Sequence, residues 1–502
     1  MAMNGRPTAG SVVALLSIGL ATLFGVLSKA NGILLPLYVL VLEYGLMRQV
    51  AWGISSEHIP IRNGERLYRL TVLRTCWVIA AIVLVYLASF IVRSLFEEVA
   101  AGRNWTMSQR LLTEPRVLWQ YLRLLWLPKP YTAGVFNDQV APSVDLLTPW
   151  TTLPALLGIL GLLMGALVGL RRFPVAASAL LFFFCGHLVE STSIPLELYF
   201  EHRNYVPSLL MFWPIGRWFA RIGSTTESRH HPYVRELLGI SVLIVLAVLT
   251  ALNTRLWGNE RDQAILWARL NPASSRAQAN AASSELHYGD AVNAEHRLRP
   301  LLALHPDEVQ LAFNLVAARC AQGSVDEADL TTATRALQTT YDPGTLIVSW
   351  FGRAIDNAQD ETCKGLDNDA LRTLLLAGIT NPRLPDGRRQ DLFYLIGRLD
   401  LRSGDATAAN EAFDRAIAFD PRESAALEQA AELGAAGYPE LGLRHLRRFD
   451  ELRAKESRPA FGMPQIHAWV MSRQNYWLVE REHLEAQLRS DLPQSAAKGV
   501  PH

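Results

Sequence analysis

Cysteine is scarce in this chain, four residues in 502, which excludes a fold built on disulfides. Charged residues are few as well, 19% against roughly 25% in an ordinary soluble chain. With 50% of residues hydrophobic, the composition points away from a wholly soluble enzyme. Charge of one sign is also missing: 48 Lys and Arg face 47 Asp and Glu, so nothing marks the chain as a partner for nucleic acid. Nucleophile elbow, Walker loop, dinucleotide fingerprint and clustered Cys/His metal spacing are all absent. No cofactor is read from the sequence, and the part a divalent metal plays stays open. Length alone suggests about three domains, yet the composition divides into two unlike halves.

The apolar excess lies before residue 253. A helix crosses a hydrocarbon core with about 20 mostly apolar residues. Such windows recur at 11–27, 31–46, 72–92, 152–170, 173–188, 206–222 and 237–253, which predicts seven spans. For the first, a signal peptide competes: Arg6, the run 12–27 and Ser28-Lys29-Ala30 imitate one. The apolar run that follows at 32–46 suits a helical hairpin better.

Short cytoplasmic loops carry an excess of Lys and Arg. Arg48, Arg62, Arg66 and Arg69 follow the second span, Arg171 and Arg172 the fourth, and Arg217, Arg221, Arg229 and Arg235 the sixth. All three loops fall on one side. The rule predicts a cytoplasmic N-terminus and places everything after Asn253 outside, as in a multi-pass protein of the bacterial inner membrane.

Beyond Asn253 the sequence turns Ala-rich, charged and helical. Pro272 and Pro306, Gly289 and Gly323, and Ala294 and Ala328 each stand 34 residues apart, the period of two-helix tetratricopeptide units. Gly397, Gly404, Ala409, Phe413, Ala416 and Pro421 form a further unit; the stretch 343–389 fits the period badly. Neither helix of such a pair buries its apolar stripe alone, so neighbours stack into a superhelix with a concave face. That face is expected to take a protein or peptide, or to serve only as a packing platform. Cys320 and Cys363 fall outside the membrane on this reading and are candidates to pair in an oxidising compartment. The tail 493–502 is expected to fray.

The expected fold is all-α: a transmembrane bundle of about seven spans over 1–253, then a TPR-like α-solenoid over 254–492. Ionisable groups are expensive at a membrane boundary, yet His187, Glu190, Glu197, Glu201, His202 and Arg203 cluster at or between the ends of spans five and six. Arg203 suits a phosphate because a guanidinium presents a fork of N–H donors. The plain alternative is an interfacial Glu201–Arg203 ion pair with Tyr205 as an anchor. Lys29 and Asn31 occupy the turn between spans one and two, where the ammonium meets a lipid head group or snorkels. The segment 113–126, rich in Trp and Leu, reads as a helix in the interface plane starting at Thr113. Asp138 is the best carboxylate of the loop that follows, or a turn residue.

Leu27-Ser28-Lys29-Ala30-Asn31-Gly32-Ile33-Leu34-Leu35-Pro36, the stretch 111–127 and Glu201-His202-Arg203-Asn204-Tyr205-Val206-Pro207-Ser208, followed by repeats, resemble the bacterial relatives of the TMTC proteins. Those are polytopic mannosyltransferases of the GT-C type with repeats on the non-cytoplasmic side. The resemblance implies transfer of a sugar from a polyprenyl-phosphate donor to a protein or envelope acceptor. A carboxylate would take the acceptor proton while a cation meets the leaving phosphate. Asp138 and Glu201 are then the candidate catalytic residues. Lys29, Asn31, His187, Glu190, His202, Arg203 and Tyr205 are the candidate substrate-binding set, with Lys29 and Arg203 at the phosphate. GT-C enzymes open with a span and an outward acidic loop that have no counterpart here, so the resemblance implies either a chain that starts several spans late or the family's membrane half used without full catalysis. A membrane-anchored scaffold for envelope or pilus assembly is the non-catalytic alternative.

Overall fold

The computed structural model describes residues 7–47, 67–94, 105–138, 140–192, 196–220, 232–341, 344–357, 363–453, 459 and 463–495. Arg48, Arg62, Arg66, Arg221 and Arg229, on which the orientation argument partly rests, lie outside them, as does 496–502. Among the described residues the protein is all-α, with one isolated bridge between Ser324 and Lys364 and no sheet. It forms two compact units, Met1–Asn271 and Pro272–His502.

In the first unit, helix α1 (Pro7–Ser28) runs for 22 residues, roughly 33 Å at the α-helical rise. Lys29, extended, ends it, and a 3-10 turn over Ala30–Leu34 feeds α2 (Leu35–Leu42), which continues as a π turn over Glu43–Met47. Two glycines permit this hairpin. A Cβ on Gly32 would stand 2.1 Å from the Gly25 carbonyl carbon, so the two backbones touch with no side chain between them. Helix α3 (Arg74–Ser94) packs Cys76, Ala80 and Val83, with Val72 from the π turn before it, against Leu34, Leu37 and Leu40.

Helix α4 (Met107–Trp126) starts about two turns before the point the sequence suggested. Its cap is Thr106, whose side chain accepts from the Gln109 N–H while Gln109 accepts from the Thr106 N–H, a reciprocal pairing of orphan helix donors. Thr113 lies inside the helix instead, donating to the Gln109 carbonyl and accepting from the Ser143 N–H. Helix α5 (Thr152–Gly169) lays Gly158 under the Trp119 ring, and α6 (Pro174–His187) returns beside it.

Five helical segments among the described residues are long and apolar enough to cross a membrane: Thr8–Ser28, Ala30–Met47, Leu70–Ser89, Thr152–Gly169 and Glu236–Trp257. The other two expected spans differ. Helix α6 has 14 residues, and 205–212 forms turns before the eight-residue α7 (Trp213–Ala220). Pro207 and Pro214 account for the break, because proline removes a helical N–H and clashes with the preceding turn. Helix α8 (Pro232–Trp257) is the last of the long apolar helices. Helix α9 (Glu260–Leu270) belongs to the first unit, with the Trp267 ring against Gly134 and Phe136 and the Asn271 amide donating to the Phe136 carbonyl.

The second unit is a row of helix pairs. They are α10 (Ser275–His287) with α11 (Ala291–Leu304), α12 (Val309–Ala321) with α13 (Glu327–Thr339), α14 (Leu346–Asn357) with α15 (Asn368–Ile379), α16 (Asp386–Arg402) with α17 (Ala406–Phe419), and α18 (Glu423–Ala435) with α19 (Pro439–Leu452). Helices α20 (Met463–Arg473) and α21 (Tyr476–Ser495) follow, so the chain is still helical at Pro493. Gly289, Gly323, Gly404 and Gly437 turn the pairs with positive φ, a region open to glycine at little cost. Phe313 stacks on Trp350 at 4.2 Å and Gly397 admits the Phe413 ring. Cys320 and Cys363 are joined in a disulfide.

Candidate functional site

The chain gathers its boundary charges around one carboxylate. Glu190 follows the C-terminus of α6 and is 5% exposed. One oxygen, Oε1, accepts from the Asn31 amide at 2.7 Å and faces the Lys29 ammonium at 3.0 Å. The other, Oε2, faces the Arg203 Nε at 3.6 Å. Residues far apart in the first unit's sequence thus meet because the α1–α2 turn and the α6 end lie together. Lys29 is 61% exposed; its stem reaches out while its head is held.

Arg203 is turned inward. It is buried, donates through Nη1 to the Glu197 carbonyl at 2.7 Å and lies 5.4 Å from the centre of the Phe200 ring. One arm of the guanidinium is thus held by the Glu197 carbonyl, and its Nε faces Glu190. His187, also buried, bonds the Asn204 side chain through Nε2 at 3.1 Å and stacks on Tyr121. The Tyr121 hydroxyl accepts from the Phe200 N–H at 2.8 Å. These contacts fix the turn over Glu201–Asn204 against α4.

The residue the sequence reading passed over is Arg110, fully buried on α4. Its Nε donates to the Thr192 carbonyl at 2.9 Å, Nη1 to Leu196 at 2.5 Å and Glu197 at 3.3 Å, and Nη2 to Glu190 at 2.6 Å. Nη2 also pairs with Glu114 at 2.9 Å. One guanidinium thereby gathers backbone carbonyls from Glu190 and from Thr192, Leu196 and Glu197 after it. Burial lifts the Glu114 carboxyl to about 7, against the pull of Arg110, Ser191 and Arg203.

Glu201 stands apart from the Glu190 group. It accepts from the Thr132 hydroxyl at 2.9 Å, and burial pushes its carboxyl above the usual range against Thr132 and Lys129. The Glu201–Arg203 ion pair weighed from the sequence is replaced by Arg203 facing Glu190. His202 is exposed beside Phe200, and Tyr205, 85% exposed, has the setting of an interface anchor. Asp138 lies exposed in the turn closed by the Val140 N–H on the Asn137 carbonyl. Of the nine candidate residues, the structure brings Lys29, Asn31, His187, Glu190 and Arg203 to one place and leaves the other four at its rim or beyond. Among the described residues no group of three His, Cys, Asp or Glu is placed to hold a metal ion.

No family model matches the chain, and no curated protein matches it.

Proposed function

We propose that this chain is a multi-pass membrane glycosyltransferase-like protein of the GT-C kind, taking sugar from a polyprenyl-phosphate donor for an acceptor outside the cytoplasm. The observation that carries the reading is Glu190 held between Lys29, Asn31 and Arg203 at the ends of apolar helices. Such a group is costly at a membrane boundary and marks function there by default. Lys29, the exposed cation, is assigned to the lipid phosphate. Glu190 and Asn31 aim it, and Arg203 with Arg110 stiffens the platform. Glu201, half-buried and pushed by burial above the usual carboxylate range, is assigned to the acceptor proton. The resemblance to TMTC relatives supports the same chemistry. The Cys320–Cys363 bond supports an oxidising, non-cytoplasmic location for the second unit, and its paired helices support TPR-like stacking.

The test uses membranes containing the full chain, a polyprenyl-phosphate donor labelled in the sugar, and envelope protein as acceptor. Transfer is expected in the wild type, with Lys29→Ala and Glu201→Gln each lowering it about a hundredfold. Absence of transfer across a panel of donor sugars overturns the enzyme reading. One observation favours a scaffold: every donor of Arg110 and the Nε and Nη1 of Arg203 are committed within the protein. A peptide or protein partner on the second unit, bound equally by wild type and Lys29→Ala, would fit that alternative.

A further inference from the structure

A second feature of the first unit lies at the outer end of α8. There the turn at Pro128 and Lys129, just past α4, and one face of α8 enclose a groove of about 430 Å³. Leu246, Leu249 and Trp257 form its apolar wall. The Asn253 amide donates to the Pro130 carbonyl at 2.8 Å, which pins the helix to the turn and holds the groove's shape. Thr250 and Thr254 give their hydroxyl protons to carbonyls one turn back. Lys129 is exposed at the mouth and supplies the cation.

None of the most apolar window of α8 is buried inside the protein, so the neighbour along that wall is hydrocarbon. Trp257, 63% exposed, marks the level at which an aromatic ring sits between chains and head groups. A long apolar wall rising to a single ammonium at that level matches a molecule with an apolar tail and one anionic head. A free anion would need more donors than one lysine provides, and a protein partner would have to displace lipid from the whole span.

We propose that this groove seats an anionic phospholipid of the surrounding bilayer, its phosphate on Lys129 and a chain along Leu246 and Leu249. The site is separate from the Glu190 group and does not require the chain to be an enzyme. It reaches one catalytic candidate, since Lys129 also acts electrostatically on Glu201. A phosphate in the groove competes for that ammonium.

The full chain in nanodiscs of phosphatidylcholine is exposed to trace photoactivatable phosphatidylglycerol, and labelled peptides are mapped. Labelling is expected to concentrate on 246–257 and to fall about fivefold in Lys129→Ala, the worth of one basic residue near an anionic surface. Leu249→Trp, which fills the groove and keeps the charge, should lower it too. Arg172→Ala should leave it unchanged. Equal labelling by a photoactivatable phosphatidylcholine, or labelling indifferent to both groove variants, overturns the proposal. Displacement by inorganic phosphate reassigns the site to a free anion, and preferential displacement by a polyprenyl phosphate reassigns it to the sugar donor; either result overturns the phospholipid assignment.

Discussion

Replacing Arg110 by Met removes a buried guanidinium while keeping most of the side chain's apolar bulk. The carbonyls of Glu190, Thr192 and Leu196 lose their donor, the Glu197 carbonyl keeps only Arg203, and Glu114 loses its charge partner. Breaking one side of a buried ion pair costs about 3–5 kcal/mol, because an uncompensated charge stays behind. Glu114 already sits near neutrality at about 7, so it can take up a proton and hold the loss toward the lower figure in mild acid. For a unit of this size the melting temperature should fall on the order of 10 °C. The assay is thermal unfolding in detergent micelles, paired with hydrogen exchange over 188–204. Exchange there should quicken more than in the second unit. Arg110→Lys should recover little, since a point charge cannot reach carbonyls spread around a planar fork. An unchanged melting temperature with unchanged protection of 188–204 would refute the claim that Arg110 organises the site.

Glu114 predicts a pH dependence of the opposite sign from a surface carboxylate. Its folded pKa is raised, so its stabilising share is full below the unfolded value near 4.5 and drains away as pH rises through about 7. The swing is about 3 kcal/mol at most, and Glu114→Gln should flatten it in melts between acid and mildly alkaline buffer. Cys320→Ser should cost the second unit about 4 kcal/mol on the chain-entropy account of a 43-residue separation. Thiol titration of the unfolded wild type should find two more thiols after reduction; equal counts would exclude the bond. Gly32→Ala should destabilise the first hairpin by about 1–3 kcal/mol through overpacking. Gly19→Ala, which meets nothing within 4 Å, is the control in the same melts and should stabilise the helix by up to about 1 kcal/mol.

Period and composition made much of the architecture legible. The 34-residue spacing places α10 and α12 correctly, since Ser275 and Val309 begin them 34 residues apart. Gly289 and Gly323 mark the turns because each has positive φ. The register slips over 343–389 for a physical reason: α14 and α15 are joined by the longer segment that carries Cys363, and α16 runs to 17 residues. The site was half legible. Charge at a membrane boundary drew attention to Lys29, Glu190 and Arg203, but not to which way Arg203 points. Arg110 gave no sign, because it lies ahead of the helix start read at Thr113, and its partners are mainly backbone carbonyls that leave no trace in residue identity.

The direct backbone contact at Gly25 and Gly32 gives the first hairpin an unusual stiffness at its bend. With no side chain to absorb play, a tilt of the leading helix is handed on to the bend, and so to the ammonium and amide that flank Glu190. Helices answer a thicker or thinner bilayer by tilting. The Lys29 and Asn31 contacts to Glu190 should therefore respond to the thickness of a bilayer that holds the leading helix.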